Sequence, residues 1–162
     1  MHEIRIRRAT LPDIPHVLHH RRAMFAEMGR GDAAQHATMV KTTETYLRSA
    51  LPAGRYTGWL AENTAGCVVA GAGVAVSDWP GSPDDPTGKR ALVLNVYTEP
   101  EFRRRGIARR LMLAVIAWGR EEGLRSLSLH ASDFGRALYE ELGFRQTNEM
   151  RLYLKQDPSL ER

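Results

Sequence analysis

Phe102-Arg-Arg-Arg-Gly-Ile-Ala-Arg-Arg110 is the stretch whose reading decides the fold. Ahead of it runs Ala91-Leu-Val-Leu-Asn-Val-Tyr97, an apolar, β-branched segment of strand length. Behind it Ile107, Leu111, Ala114, Val115 and Trp118 recur at spacings of three and four, one apolar face of a helix. The segment therefore reads strand, polar turn, helix, with Gly106 at the helix mouth. The first turn of a helix carries backbone N–H groups without internal acceptors, and the dipole adds partial positive charge there. Gly106 lets an anion come close to the backbone, and Arg103, Arg104, Arg105, Arg109 and Arg110 crowd the same place. On physical grounds this is a polyphosphate site.

Outward from that stretch, Ile4 to Arg7 alternates apolar and charged residues, as an edge strand does. Thr10-Leu-Pro-Asp13 carries the signals of a helix start, and Ile14, Val17, Leu18, Met24, Phe25 and Met28 follow at helical spacing up to Gly29 and Gly31. A second helix is expected from Thr38 to Ala50. Tyr56 to Glu62 and Cys67 to Val76 read as a hairpin turning at Asn63-Thr-Ala-Gly66, with Gly71 and Gly73 permitting close approach of other groups. Ser77 to Lys89 is a polar loop. Beyond the long helix come a short strand from Ser126 to Ala131, a short helix from Phe134 to Leu142, and two last strands, Phe144 to Gln146 and Met150 to Leu154. This order contains one βαβ crossover. It predicts a single α+β domain over residues 1–162, three-layered α/β/α, with four helices and a mixed, mostly antiparallel sheet of about seven strands.

At 162 residues, 43% hydrophobic and 26% charged, the chain suits one domain with one sizeable core. Cys67 is the only cysteine, so no internal disulfide can form, and its apolar neighbours suggest a buried structural thiol. A cytoplasmic setting is the expectation. No segment approaches the roughly 20 apolar residues of a membrane helix, and the charged N-terminus lacks a signal-peptide core. The net charge of +4 fits an anionic ligand. It does not favour nucleic acid, because no aromatic residues for base stacking are interleaved with the arginines. His16, His19 and His20 share a helix without a further ligand nearby, and read as surface polar groups rather than a metal site.

Arg-x-x-Gly-x-Ala, spanning Arg103 to Ala108 after a strand, resembles the acetyl-CoA-binding signature of the GNAT superfamily of N-acyltransferases. Ala137-Leu-Tyr-Glu-Glu-Leu-Gly-Phe144 resembles its second signature, and the element order matches that fold over nearly the whole chain. The resemblance implies direct transfer of the acetyl group of acetyl-CoA to a primary amine of a small molecule or protein, through a tetrahedral intermediate and without a metal. It implies a sheet splayed between strands 4 and 5, with the pantetheine pairing along Val96, Tyr97 and Thr98. The pyrophosphate would lie on the amides of Arg104, Arg105, Gly106, Ile107, Ala108 and Arg109, with Arg103 or Arg104 adding charge. Tyr139 would protonate the departing thiolate, and the amide of Val96 or Tyr97, freed by a bulge, would contact the oxyanion.

The base is open. Positions where relatives carry Glu hold Asn95 and Tyr97 here. His130 and Glu62 are candidates, Glu99 reads as too far toward the loop, and a water relay is preferred to either. Ser132 stands where many members carry an Asn on the cofactor, so it is either a CoA contact or a helix cap. A non-catalytic CoA-binding module is the alternative function. Arg21, Arg22, Phe25, Met28, Tyr46, Trp59 and Trp79 are candidate acceptor-pocket liners, and the two arginines suit an acceptor bearing a carboxylate or phosphate. Monomer and homodimer both remain open.

Overall fold

Capping and alternation explain most of the architecture. The computed structural model describes residues 3–154. Within them the order is β1 (Arg5–Arg8), α1 (Ile14–Glu27), α2 (Ala33–Ala50), β2 (Tyr56–Glu62), β3 (Val68–Asp78), β4 (Lys89–Thr98), α3 (Ile107–Glu121), β5 (Ser128–Leu129) and α4 (Arg136–Glu141). Single 3₁₀ turns at Leu11–Asp13 and Pro100–Phe102 lead into α1 and toward α3. The sheet order is β1-β2-β3-β4-β5; every pair is antiparallel except β4–β5, which the α3 crossover makes parallel.

Local chemistry sets the helix starts. The Asp13 carboxylate accepts from the Thr10 amide and hydroxyl and from both terminal nitrogens of Arg7, the latter at 2.8 Å. These bonds, those from Arg7 foremost, hold the Asp13 carboxyl well below the usual carboxylate range. Arg7 Nε also donates to Glu62 at 2.6 Å, so this candidate base is already the partner of a guanidinium. The second helix begins at Ala33 rather than Thr38, because Asp32 and Gln35 form a reciprocal capping box, each bond 2.8 Å.

The sheet buries both faces. On one, Ile107, Leu111, Met112, Val115 and Trp118 of α3 pack on Trp59, Ala61, Ala70, Ala72, Ala91 and Val93. On the other, Ile14, Val17, Leu47 and Ala50 of α1 and α2 enclose Tyr56, with Ala75 and Leu94 against them. The expected α/β/α layering follows. Trp59 is a core residue, 5.4 Å edge-to-face from Trp118 with the Arg8 guanidinium over its ring, and not an acceptor-pocket liner.

Three other expectations need correction. The described residues contain five strands, not about seven: 144–154 join no ladder. A strand needs a neighbouring row of backbone partners. The segment expected at Ser126 to Ala131 narrows to the two residues of β5, and Met150, Leu152 and Leu154 stay exposed. Cys67 is exposed in the β2–β3 turn, where its amide donates to Asn63, so it is not a buried thiol. His20 is not a surface group; only 2% of it is accessible.

Candidate active site

One extra residue in β4 shapes the site. Gly73 faces Leu94 and Gly71 faces Tyr97, so β3 advances two residues while β4 advances three. The surplus is taken up at Asn95, whose φ is 57°, a left-handed conformation that asparagine tolerates better than most residues. Asn95 turns inward toward α1. Its Oδ1 accepts from Arg21 Nη1 at 2.8 Å, and its Nδ2 donates to the Tyr56 hydroxyl at 3.2 Å. Burial pushes the Tyr56 phenol up to about 12, so it stays neutral.

The glycines of β3 make room for this. A Cβ on Gly73 would fall inside the Tyr56 phenol, and one on Gly71 would lie 2.9 Å from His20 Nδ1. His20 therefore fills a notch in the sheet, its ring 5.4 Å from that of Tyr97. Burial, together with His19 and His16, pushes its imidazole down to about 4. His19 bonds Glu99 at 2.7 Å.

Beyond Val93 the fourth and fifth strands part company. Their ladder has only two rungs, Leu92 to Ser128 and Val93 to Leu129, so from Leu94 to Thr98 β4 has no strand neighbour on that side among the described residues. A cleft of about 870 Å³ opens there. It runs from Val96, Tyr97 and Thr98 past the start of α3 to Ser132 and Tyr139, with Met24 and Glu27 of α1 and the C-cap residue Met28 along it. At its polar end Gly106 takes φ 73°, and a Cβ added there would meet nothing within 4 Å. The first intrahelical bond of α3 runs from the Arg110 amide to the Gly106 carbonyl, which leaves the preceding amides without helical acceptors. Arg104, at φ 62°, curves the preceding turn.

Of the residues singled out in the sequence, Val96, Tyr97, Thr98, Arg103, Arg104, Gly106, Ile107, Ala108, Arg109, Ser132 and Tyr139 line this cleft. Arg105 is not among the lining residues; it bonds the Glu101 carbonyl and stacks on Phe102. Arg110 turns to the Ile4 carbonyl. His130 is absent from the lining as well, with Nε2 facing Glu149 at 3.3 Å and Arg151 at 3.0 Å. Ser132 Oγ accepts from the Gly135 amide, ordering the turn that leads into α4.

Tyr139 lies over that turn. A Cβ on Gly135 would stand 2.7 Å from its ring, so the glycine is what lets the ring settle there, edge-on to Phe144 at 5.9 Å. Burial raises the Tyr139 phenol above its ordinary value, and its hydroxyl makes no hydrogen bond among the described residues. A neutral O–H donor thus stands beside the cleft.

Glu27 is the residue that sequence reading passed over. It accepts from the Tyr97 hydroxyl at 2.8 Å and from Arg103 Nη2 at 2.7 and 2.8 Å, while Arg103 Nε bonds the Thr98 carbonyl. Burial opposes ionisation of Glu27, but the Tyr97 and Arg103 bonds outweigh it and its carboxyl lies below the usual range. Burial, then the bond to Glu27, raises the Tyr97 phenol. The available signal was an acid on the same helical stripe as Met24 and Met28.

An open β4 edge, a helix mouth with free amides and a tyrosine thus lie along one cleft. The family model described as acetyltransferase (GNAT) family matches residues 23–144. The chain belongs to the GNAT family. A GCN5-related N-acetyltransferase from Ralstonia eutropha JMP134 superposes with TM-score 0.87 at 37% identity, over 94% of this chain and 99% of that one. A predicted acetyltransferase from Clostridium acetobutylicum, solved with acetyl-CoA, gives 0.86 at 27% identity over 94% and 97%. Among curated relatives, human N-acetyltransferase 8 is 32% identical over 71 residues, and the Salmonella typhimurium aminoglycoside N(6')-acetyltransferase type 1 is 32% identical over 63. The matches span 31% and 43% of those two proteins and 41% and 37% of this chain. Among the described residues of this GNAT protein, no helix is long and apolar enough to cross a membrane.

Proposed function

We propose that this GNAT protein transfers the acetyl group of acetyl-CoA to a primary amine, with Tyr139 as the acid. The observation that carries the reading is the single cleft shared by the unpaired β4 edge, the free amides at the mouth of α3 and Tyr139. The open space above Gly106 fits a pyrophosphate, which the amides from Arg104 to Arg109 and the cations of that turn would hold. Val96, Tyr97 and Thr98 offer backbone groups to a pantetheine arm. Acetyl-CoA supplies an activated acyl carbon: the amine nitrogen bonds to it, the carbon–sulfur bond breaks, and the sulfur leaves with the electron pair.

Each residue then has one task. The amide of Val96 or Tyr97, next to the Asn95 bulge, donates to the carbonyl oxygen as charge develops on it. Tyr139, held neutral by burial, gives its proton to the sulfur. The acids nearest the cleft are engaged, Glu27 by Arg103 and Tyr97, and Glu99 by His19. The amine's own proton therefore passes to water, and His130 is given no part in removing it.

Calorimetric titration of acetyl-CoA, followed by thiol release with an amine library, tests the reading. Micromolar binding with amine-dependent thiol release is expected. Binding without release for any amine would leave the non-catalytic module, and no binding at millimolar ligand would overturn both.

A further inference from the structure

Among the described residues Arg21 is a cation without a counter-ion. It stands on α1 one turn before Met24, on the same helix face as Met24 and Met28, and is not itself among the residues lining the cleft. No carboxylate of the described residues pairs with it, although the ion pairs there engage Arg7, Arg48, Arg90, Arg103 and Arg151. Burial destabilises its charged form. Partly buried charges without compensation are costly, and proteins pair them or leave a place for a charged ligand.

The pattern of used and unused donors is informative. Nη1 is committed to Asn95 Oδ1 at 2.8 Å. Nε is buried with no acceptor, the only such side-chain atom among the described residues. Nη2 makes no hydrogen bond either, and since it is not buried it reaches solvent. Nε and Nη2 form the side edge of the guanidinium fork; burial closes Nε off, which leaves Nη2 as the donor open to an incoming anion. The guanidinium carbon lies over the Phe25 ring, 5.0 Å from its centroid. Arg22 is different: it is exposed.

We infer that Arg21 recognises a carboxylate on the acceptor, so that the preferred substrates are primary amines carrying a carboxylate, such as free amino acids. Through Asn95 the fork is tied to the bulge that precedes Val96 and Tyr97. A carboxylate docked at Nη2 would hold the amine near the backbone amides assigned above to the carbonyl oxygen. The inference rests on the proposed acetyl transfer and deepens it.

The test compares each of a panel of amino acids with its own carboxamide and its decarboxylated amine, at equal acetyl-CoA, by thiol release. For the best acceptor the acid is expected to exceed its amide in kcat/KM by about 10- to 100-fold, mainly through KM, as for a charge-assisted pair. In Arg21→Gln the acid-to-amide ratio should collapse toward one, and Arg21→Lys should recover only part of it because the ammonium lacks the fork. Acids and amides acetylated equally by the wild type, or amines without a carboxylate preferred, would overturn the inference while acetyl transfer stands. A wild-type ratio retained in Arg21→Gln would overturn it too. Should neither variant fold, the wild-type ratio alone decides. Failure of acetyl-CoA to bind marks instead the failure of the underlying reading, and the inference goes with it.

Discussion

Glu27 of α1 and Arg103 of the β4–α3 turn close an ion pair of 2.7 Å beside the cleft, and Tyr97 donates to the same carboxylate. The arginine that the sequence assigns to a pyrophosphate is thus held by an acid from a different element. The carboxylate competes with any incoming phosphate for that cation. In Glu27→Gln the competition falls, and acetyl-CoA should bind about two- to fivefold more tightly at low salt. The exposed pair itself is worth at most about 1 kcal/mol, so the thermal midpoint should move little. An unchanged dissociation constant would show that Arg103 does not contact the cofactor.

Gly106 combines left-handed backbone with empty space around its missing side chain. Gly106→Ala should cost about 1–2 kcal/mol from backbone strain alone, lowering the midpoint by several degrees. Its methyl group would occupy the space assigned to phosphate oxygens, so acetyl-CoA affinity should fall at least tenfold in calorimetry. Retained affinity in a folded variant would remove the pyrophosphate from this turn.

For Tyr139→Phe, steady-state kinetics should show kcat reduced by about 100-fold with the KM for acetyl-CoA little altered. Because burial raises the phenol, the acid remains protonated across the neutral range, and any alkaline loss of rate belonging to it should come at higher pH than for a free phenol. An unaltered kcat would end the acid role.

His130 stands outside the cleft lining and faces Glu149 and Arg151. His130→Gln is expected to change kcat by less than about threefold. A large fall, accompanied by loss of an ionisation from the pH–rate profile, would restore the histidine as base.

His20 gives the fold a measurable acid limb. Its imidazole ionises near 4 in the folded protein and near 6.5 in the unfolded chain, so the unfolded chain binds more protons between those values. Stability is complete above about pH 6.5 and declines as pH falls toward 4, by an amount on the order of 3 kcal/mol. Denaturant titrations across that window should show the slope, and His20→Gln should flatten it. An identical slope in the variant would place the sensitivity elsewhere.

Much of this protein is legible in its residues, and the losses have physical causes. The strand–turn–helix around Gly106 was readable because a β-branched run, a glycine and a helical stripe follow each other without interruption. Gly71 and Gly73 announced close approach, and His20 and the Tyr56 phenol are what approach. Asn95, a polar residue inside an apolar run, was the visible trace of the bulge. Histidine patterns say nothing about depth, so the burial of His20 followed only from a notch cut in another strand. The last two strands were read from composition, yet a strand exists only where a neighbour offers a ladder, and β5 offers two residues. Glu27 was unreadable as a site residue because its partners lie 70 and 76 positions away.

The bulge at Asn95 also works as a frameshift in the sheet. Before it, the odd-numbered Ala91 and Val93 face α3 and the even-numbered Leu94 faces α1 and α2. After it the parity reverses: Val96 joins the α3 side, and Tyr97 meets His20 and Glu27 of α1. A single strand thereby serves as ordinary core for its first half and as cleft wall for its second. Were β4 to run through Asn95 as regular strand, without the bulge, Tyr97 would turn into the core and Val96 toward α1.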